Sequence, residues 1–113
     1  MTVTIWHNPA CSNSRGALAL IREAGIEPVV VDYLGAPPDV ATLRQVLAES
    51  GLAATELVRS KEAQFAELGL AGADEATLLA AMAKHPRLIN RPIVRTPKGT
   101  RLCRPPERVL DLL

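Results

Sequence analysis

The 113-residue sequence contains few aromatic residues, with one Trp, one Tyr and one Phe. Any hydrophobic core must therefore be built from aliphatic side chains. Hydrophobic residues make up 48% of the chain, which excludes wholesale disorder and is enough for the core of one compact domain. We predict a single domain over residues 1–113.

Excess charge, long apolar runs and a charged-then-apolar leader segment are also missing. The net charge of +1 gives no bulk electrostatic reason to expect binding to nucleic acid or to an anionic membrane. No apolar run approaches the roughly 20 residues of a membrane-spanning helix, and the N-terminus leads directly into a predicted strand. We therefore expect a cytoplasmic protein that has neither a nucleic-acid nor a membrane partner.

Cysteine is scarce, since only Cys11 and Cys103 are present. A disulfide-stapled secreted domain usually carries more cysteines, so we expect both thiols to be reduced. Together with His7 and His85 they show no zinc-type spacing, and no metal site is predicted.

The most informative stretch surrounds Cys11. An apolar strand runs into an Asn8-Pro9 turn, and the cysteine stands where a helix begins. The free backbone N–H groups and the dipole of a helix start stabilise a thiolate and can hold an oxyanion. Asn13, Ser14 and Arg15 add side-chain donors, and Arg15 adds positive charge. A lone cysteine is otherwise most often a small buried apolar residue, so from the residues alone both interpretations stay open.

The hydrophobic pattern predicts an α/β fold that begins with a β-α-β unit. The elements are a strand over 2–6, a helix over 12–24 and a short strand over 29–31. The continuous Val29–Val31 run is typical of a strand buried on both faces, which favours parallel pairing with the first strand.

A helical insertion is predicted at about 39–84, with helices beginning at Asp39, Lys61 and Asp74. Its core candidates are Leu57, Phe65, Leu68, Leu78, Leu79 and Met82. His85 is interpreted as a C-terminal cap. A hairpin of strands over 88–94 and 100–103 follows, and Pro105-Pro106 opens a last helix, so the order is β-α-β, insertion, β-β-α.

This order resembles the thioredoxin fold. Three stretches look like the glutaredoxin-coupled arsenate reductase family, and the resemblance covers essentially the whole chain. They are His7-Asn8-Pro9-Ala10-Cys11 with Ser14-Arg15, then Asn90-Arg91-Pro92-Ile93-Val94, and finally Gly99-Thr100-Arg101-Leu102-Cys103-Arg104-Pro105.

The resemblance implies a role for seven residues. Cys11 matches the catalytic cysteine that forms a covalent adduct with arsenate. Arg59, Arg91 and Arg104 match the arginines that bind the oxyanion, His7 and Ser14 match residues that lower the pKa of the cysteine, and Pro92 matches the cis-proline beside the active-site loop. The family uses no bound cofactor. Glutathione is the co-substrate, glutaredoxin is the partner, and arsenite is released.

Ser14 stands where a second cysteine would complete a C-x-x-C pair, so an external thiol must finish the reduction. Two other functions remain open. One is a glutathione-linked thiol reductase that acts on another substrate, such as a protein mixed disulfide. The other is a thioredoxin-fold regulator that binds RNA polymerase, although its C-x-x-C switch is missing here. Cys103 is expected to be an apolar filler rather than a resolving thiol, and Arg95 and Arg101 are expected in solvent.

Overall fold

The computed structural model describes residues 2–113, and within them it confirms the predicted α/β class. The strands are β1 Thr4–Trp6, β2 Val29–Val31, β3 Ile93–Thr96 and β4 Gly99–Leu102. The helices are α1 Ser12–Glu23, α2 Val40–Ser50, α3 Ala54–Leu57, α4 Ala63–Glu67 and α5 Glu75–Lys84, with 3₁₀ segments at Pro86–Leu88 and Pro106–Leu112.

The chain divides into two compact units. The first is discontinuous and combines the N-terminal part up to Ala36 with Arg91–Leu113, whereas the second is the continuous segment Pro37–Asn90. The predicted helical insertion at about 39–84 lies within the second unit. That residues 1–113 form a single domain stays a prediction.

The first unit contains a four-stranded sheet in the order β2-β1-β3-β4. β1 pairs with β2 in parallel, as predicted, and its other neighbour is β3, antiparallel, with Ile5 opposite Val94. α1 and the C-terminal 3₁₀ segment pack together, and Gly16 permits their close approach because a Cβ there would lie 3.0 Å from the Pro106 ring. One buried hydrophobic cluster of this unit consists of Val3, Ile5, Ala17, Ile21, Val94, Cys103, Val109 and Leu112.

The prediction that β2 is buried on both faces is wrong. Val29 is 54% exposed and Val30 is 44% exposed. β1 has β3 as its second neighbour, and this leaves β2 at the edge of the sheet. The apolar run predicted the strand correctly. Its exposure depends on the order of strands in the sheet, which is set by the pairing of β1 with a strand near the C-terminus.

The second unit is helical, and α2 and α5 begin where the sequence predicts, whereas α4 begins at Ala63 rather than at Lys61. Asp39 caps α2 by accepting from the Thr42 amide at 2.8 Å, and Asp74 caps α5 through Thr77 at 2.9 Å. α2 ends at Gly51, whose φ of +73° suits glycine. The buried apolar residues include Leu43, Val46, Leu57, Leu78, Leu79, Met82, Leu88 and Ile89.

Three local predictions need correction. Phe65 is only partly buried and Leu68 is 45% exposed, because α4 is a five-residue helix that buries none of its residues. The third strand begins at Ile93 rather than at residue 88, since Pro86–Leu88 is a 3₁₀ turn and Ile89 forms an isolated bridge with Val58. The last helix is 3₁₀ rather than α. His85 is the C-cap of α5, as predicted.

Within residues 2–113, no helix combines the length and the apolar character needed to cross a bilayer.

Candidate active site around Cys11

Cys11 is the N-cap residue of α1, and a tight loop leads into it from β1. The Cys11 amide donates to the Asn8 carbonyl at 3.0 Å, and the Ala10 amide donates to Oδ1 of Asn8 at 2.9 Å. The first helical hydrogen bond runs from the Arg15 amide to the Cys11 carbonyl at 3.0 Å. The Asn-Pro turn thus places the thiol at the start of a helix, as its sequence indicates.

These bonds determine which amides remain for the sulfur. The amides of residues 10 and 11 are already used inside the loop. The amides of Asn13 and Ser14 lower the pKa of Cys11, although no short capping hydrogen bond to the sulfur is formed. The oxygens of a bound anion must therefore rely on side-chain donors more than the sequence alone suggested.

Two of the predicted arginines lie beside the sulfur within the first unit. Nη1 of Arg104 is 3.8 Å from Sγ of Cys11 and donates to the Arg91 carbonyl at 3.0 Å. The Arg91 side chain also acts on the sulfur, since it helps to lower the pKa of Cys11. Nε of Arg91 is buried and has no hydrogen-bond partner among the described residues. Because buried donors are normally satisfied, this group indicates a place for an acceptor that the protein itself does not supply.

Proline follows each of these arginines. The Arg91–Pro92 peptide bond is cis, the form expected from the resemblance, and the Arg104–Pro105 bond is cis as well. The second was not predicted from the sequence.

The pKa of Cys11 is lowered from its ordinary value by several groups acting together. Burial, which leaves the residue 8% exposed, would by itself raise the pKa of the thiol. The Ser14 amide, the Arg91 side chain, the Asn13 amide and the positive charge of Arg91 outweigh this effect. A lowered pKa increases the thiolate fraction near neutral pH, and the thiolate is the form that attacks.

His7 and Ser14 contact each other at 2.6 Å between Nδ1 and Oγ, and Ser14 is fully buried. Burial lowers the pKa of His7, and the charges of Arg22 and Arg15 lower it further, so the imidazole is neutral at pH 7. Ser14 Oγ also accepts from the Asn8 amide at 3.0 Å, and the tautomer of the imidazole decides whether Nδ1 donates to Oγ or accepts from it. The pair fixes the start of the loop, and its effect on the pKa of Cys11 stays a prediction.

Arg59 belongs to the second unit, where it is partly buried. Its amide donates to the Leu88 carbonyl at 2.6 Å. Asn90 holds the same segment, since its amide donates to the Leu57 carbonyl at 2.8 Å and its side chain donates to the Glu56 carbonyl at 3.1 Å. That Arg59 joins the other two arginines around an anion stays a prediction.

Cys103 is fully buried, and burial raises its pKa to about 11. Its sulfur contacts the Arg101 carbonyl at 3.7 Å. The thiol is therefore protonated at neutral pH, which supports the interpretation of Cys103 as an apolar core residue.

The expectation that Arg101 and Arg95 lie in solvent needs correction. Arg101 is partly buried and pairs with Asp111 at 2.9 Å, and Arg95 is also partly buried and interacts with a neighbour.

Two contacts of the loop were not predicted from the sequence. The Asn8 side chain caps the turn, and an Asx turn before proline is a known signal for such a bond. Arg15 donates from Nη1 to the Pro9 carbonyl at 2.8 Å, a contact for which the sequence gives no signal.

Within the part of the chain that the structure describes, no three His, Cys, Asp or Glu side chains are grouped to hold a metal ion.

Comparison with known proteins gives consistent matches. The model of the ArsC family matches residues 6–112. An arsenate reductase of Rhizobium meliloti is 56% identical over 115 residues, covering all of this chain and 82% of that protein. The uncharacterized Escherichia coli protein YfgD is 47% identical, over 98% of this chain and 96% of its own.

The fold agrees with this match. The solved structure of an arsenate reductase from Vibrio cholerae superimposes with a TM-score of 0.96 at 44% identity, covering all of this chain and 98% of that one. The thioredoxin-like architecture is thereby confirmed. With a family model that spans nearly the whole chain and relatives of this similarity, the chain belongs to the ArsC family.

Proposed function

We propose that this protein is an arsenate reductase in which the Cys11 thiolate is the nucleophile. The observation that carries the proposal is the arrangement at the sulfur, where Nη1 of Arg104 lies 3.8 Å from Sγ and Arg91 helps to lower the pKa of the Cys11 thiol. The unpartnered Nε of Arg91 supplies a further donor for an oxyanion. Relatives with the name arsenate reductase support the choice of oxyanion.

In the first step, the thiolate attacks the arsenic atom of arsenate. An S–As bond forms, and one arsenate oxygen leaves as water after it gains protons. The arginines promote this step in two ways, because the same positive charge stabilises the thiolate and binds the oxygens. Arg91 and Arg104 perform this role, and Arg59 is proposed as a third ligand of the anion.

In the second step, the thiol of glutathione attacks the sulfur of Cys11. An S–S bond forms, and the electron pair of the S–As bond stays on arsenic, which leaves as arsenite. Arsenic gains two electrons, and each of the two thiols supplies one. Glutaredoxin then reduces the mixed disulfide on Cys11. An external thiol is required because position 14 is serine and Cys103 is fully buried.

The test is arsenate-dependent oxidation of NADPH in the presence of glutathione, glutathione reductase and glutaredoxin. We expect turnover that requires each component and that is lost in Cys11→Ser. Cys103→Ser is the matched control, since it removes the other thiol and should retain activity. Circular dichroism of both variants verifies that the fold is intact.

The outcome also separates the alternative functions. Turnover that persists in Cys11→Ser would remove this residue from its role. Absence of arsenate turnover, combined with rapid reduction of a glutathionylated protein, would favour the thiol reductase. If neither activity is found, capture of RNA polymerase by the purified protein would favour the regulator.

A further inference from the structure

Arg15 in α1 forms hydrogen bonds with the loop that leads into Cys11. Its Nη1 donates to the carbonyl of Pro9 at 2.8 Å, while its amide donates to the carbonyl of Cys11 at 3.0 Å. Arg15 therefore forms hydrogen bonds with the residues on both sides of Ala10, through its side chain to Pro9 and through its amide to Cys11. The hydrogen bond is charge-assisted, which makes it stronger than a neutral one.

The rest of the loop is tied from within. The Asn8 amide binds Ser14, the Asn8 carbonyl binds the Cys11 amide, and the Asn8 side chain binds the Ala10 amide. Pro9 is exposed, and none of these internal bonds uses its carbonyl. Arg15 is thus what attaches the exposed part of the loop to the helix.

No acidic side chain of residues 2–113 forms an ion pair with Arg15, so the Pro9 carbonyl is what orients its guanidinium. Arg22 on the same helix differs, because its guanidinium is paired with Glu27 at 3.0 Å. Arg15 is therefore available to position the loop, whereas Arg22 is engaged elsewhere.

We propose that Arg15 is a positioning residue for the Cys11 nucleophile: its guanidinium ties the exposed loop to α1 and so keeps the sulfur in front of the amides of residues 13 and 14. The inference rests on the proposed role of Cys11 as nucleophile, but it does not depend on arsenate as the substrate. The amides act only on a sulfur held at the N-cap position, and a loop that drifts outward loses them.

The experiment measures the rate at which iodoacetamide alkylates Cys11 as a function of pH, with the modified peptide quantified by mass spectrometry. The buried Cys103 does not interfere, since its pKa is about 11. The variants are Arg15→Met, Arg15→Lys and the control Arg22→Met. Each is measured at about 0.05 M and about 1 M salt, because salt screens a through-space effect of charge but not an effect of loop geometry.

We expect Arg15→Met to shift the midpoint upward by about half a pH unit or more, which is about a threefold loss of thiolate at a fixed lower pH. The shift should persist at high salt, Arg15→Lys should restore part of it, and Arg22→Met at high salt should match the wild type. An unshifted midpoint in Arg15→Met would overturn the proposal. So would a shift that disappears at high salt, or one that Arg22→Met reproduces there.

The result can be separated from the fate of the proposed function. Alkylation reports the thiolate directly and requires no arsenate, glutathione or glutaredoxin. If arsenate turnover is absent while the Arg15→Met shift is present, the substrate assignment fails and the positioning role stands. If the wild-type midpoint itself lies at the value of an unperturbed thiol, the nucleophile fails and the positioning role fails with it.

Discussion

The two cysteines show how the same physical effect gives opposite results at the scale of a residue. Both thiols are buried, and burial raises the pKa of each. Around Cys11, two backbone amides and Arg91 more than offset this effect, whereas at Cys103 burial outweighs the charges of Arg101 and Arg108. The two thiols are both buried, Cys103 fully and Cys11 to 8% exposure, and the donors around Cys11 give its pKa the opposite direction.

Ionisation of Cys103 should lower the free energy of unfolding at alkaline pH. Its pKa is about 11 in the folded chain and 9.0 in the reference state, so unfolding releases its proton between these values. A raised acid pKa stabilises the fold below pH 9 and loses this contribution as pH rises through 11. The loss is at most about 2–3 kcal/mol. Urea unfolding of the wild type and of Cys103→Ala at pH 8 and 11 measures it.

The informative quantity is the difference in free energy of unfolding between wild type and Cys103→Ala, because lysine and tyrosine side chains also titrate in this range. Cys103→Ala should be less stable at pH 8, since it leaves a small cavity, and the gap should narrow at pH 11. A gap that is constant with pH would contradict the assigned pKa. Arsenate turnover at neutral pH should be unaffected.

Arg91→Ala and Arg104→Ala should each reduce kcat/KM for arsenate by about 100-fold or more, the usual effect of removing one oxyanion donor. Stability should change much less. Nε of Arg91 has no partner to lose. Arg104 gives up its long contact with Sγ of Cys11 and one hydrogen bond to a carbonyl, and the latter is worth about 1 kcal/mol. Steady-state kinetics and thermal melts of the same samples measure both effects.

Arg22→Ala is the control for this pair, since it removes an exposed arginine that is bound to Glu27. It should retain wild-type kinetics. If the active-site variants instead lose activity and stability in proportion, the two arginines are structural, and the proposed anion site would have to be abandoned.

At the scale of an element, β2 is the strand whose environment the sequence misrepresents. Val29 and Val30 are about half exposed on an edge strand, so substitution by threonine should change stability by about 0.5 kcal/mol or less in each case. A strand buried on both faces would lose far more. Chemical denaturation of Val29→Thr and Val30→Thr tests this. Val94 in β3 is fully buried, so Val94→Thr is the comparison that should be strongly destabilised.

Elements that depend on neighbouring residues were predictable. Cys11 follows an Asn-Pro turn, and Asp39 and Asp74 are cap residues at the starts of α2 and α5, so the local sequence contains the cause of each. The exposure of Val30 depends on the pairing of β1 with β3, which lies near the other end of the chain. No local pattern encodes that pairing.

The candidate site likewise contains residues that the sequence identified and contacts that it did not. The motif match identified Arg91 and Arg104, and the structure places both beside the thiol. The grip of Arg15 on Pro9 was not predictable, because an exposed arginine in a helix is normally solvated. Leu68 was assigned to the core from its spacing, but α4 is too short to bury a face.

At the scale of the whole molecule, the sheet of the first unit joins the two ends of the chain. Ile5 in β1 lies opposite Val94 in β3, and both are fully buried. β1 and β3 are the two central strands, so each is protected by a neighbour on either side. Separation of such a pair releases a connection that spans most of the sequence, and this makes it a global rather than a local event.

We therefore expect the hydrogen-bonded amides of β1 and β3 to exchange only through complete unfolding. Their free energy of exchange should equal the free energy of unfolding measured in denaturant, and both should fall equally in a destabilised variant such as Val94→Thr. Native-state hydrogen exchange followed by NMR makes the comparison. Amides of β1 that exchange at a much lower free energy would mean that the ends of the chain separate while the rest stays folded. In that case the arginines of residues 91–113 would leave Cys11 without global unfolding, because β3 holds that segment against β1.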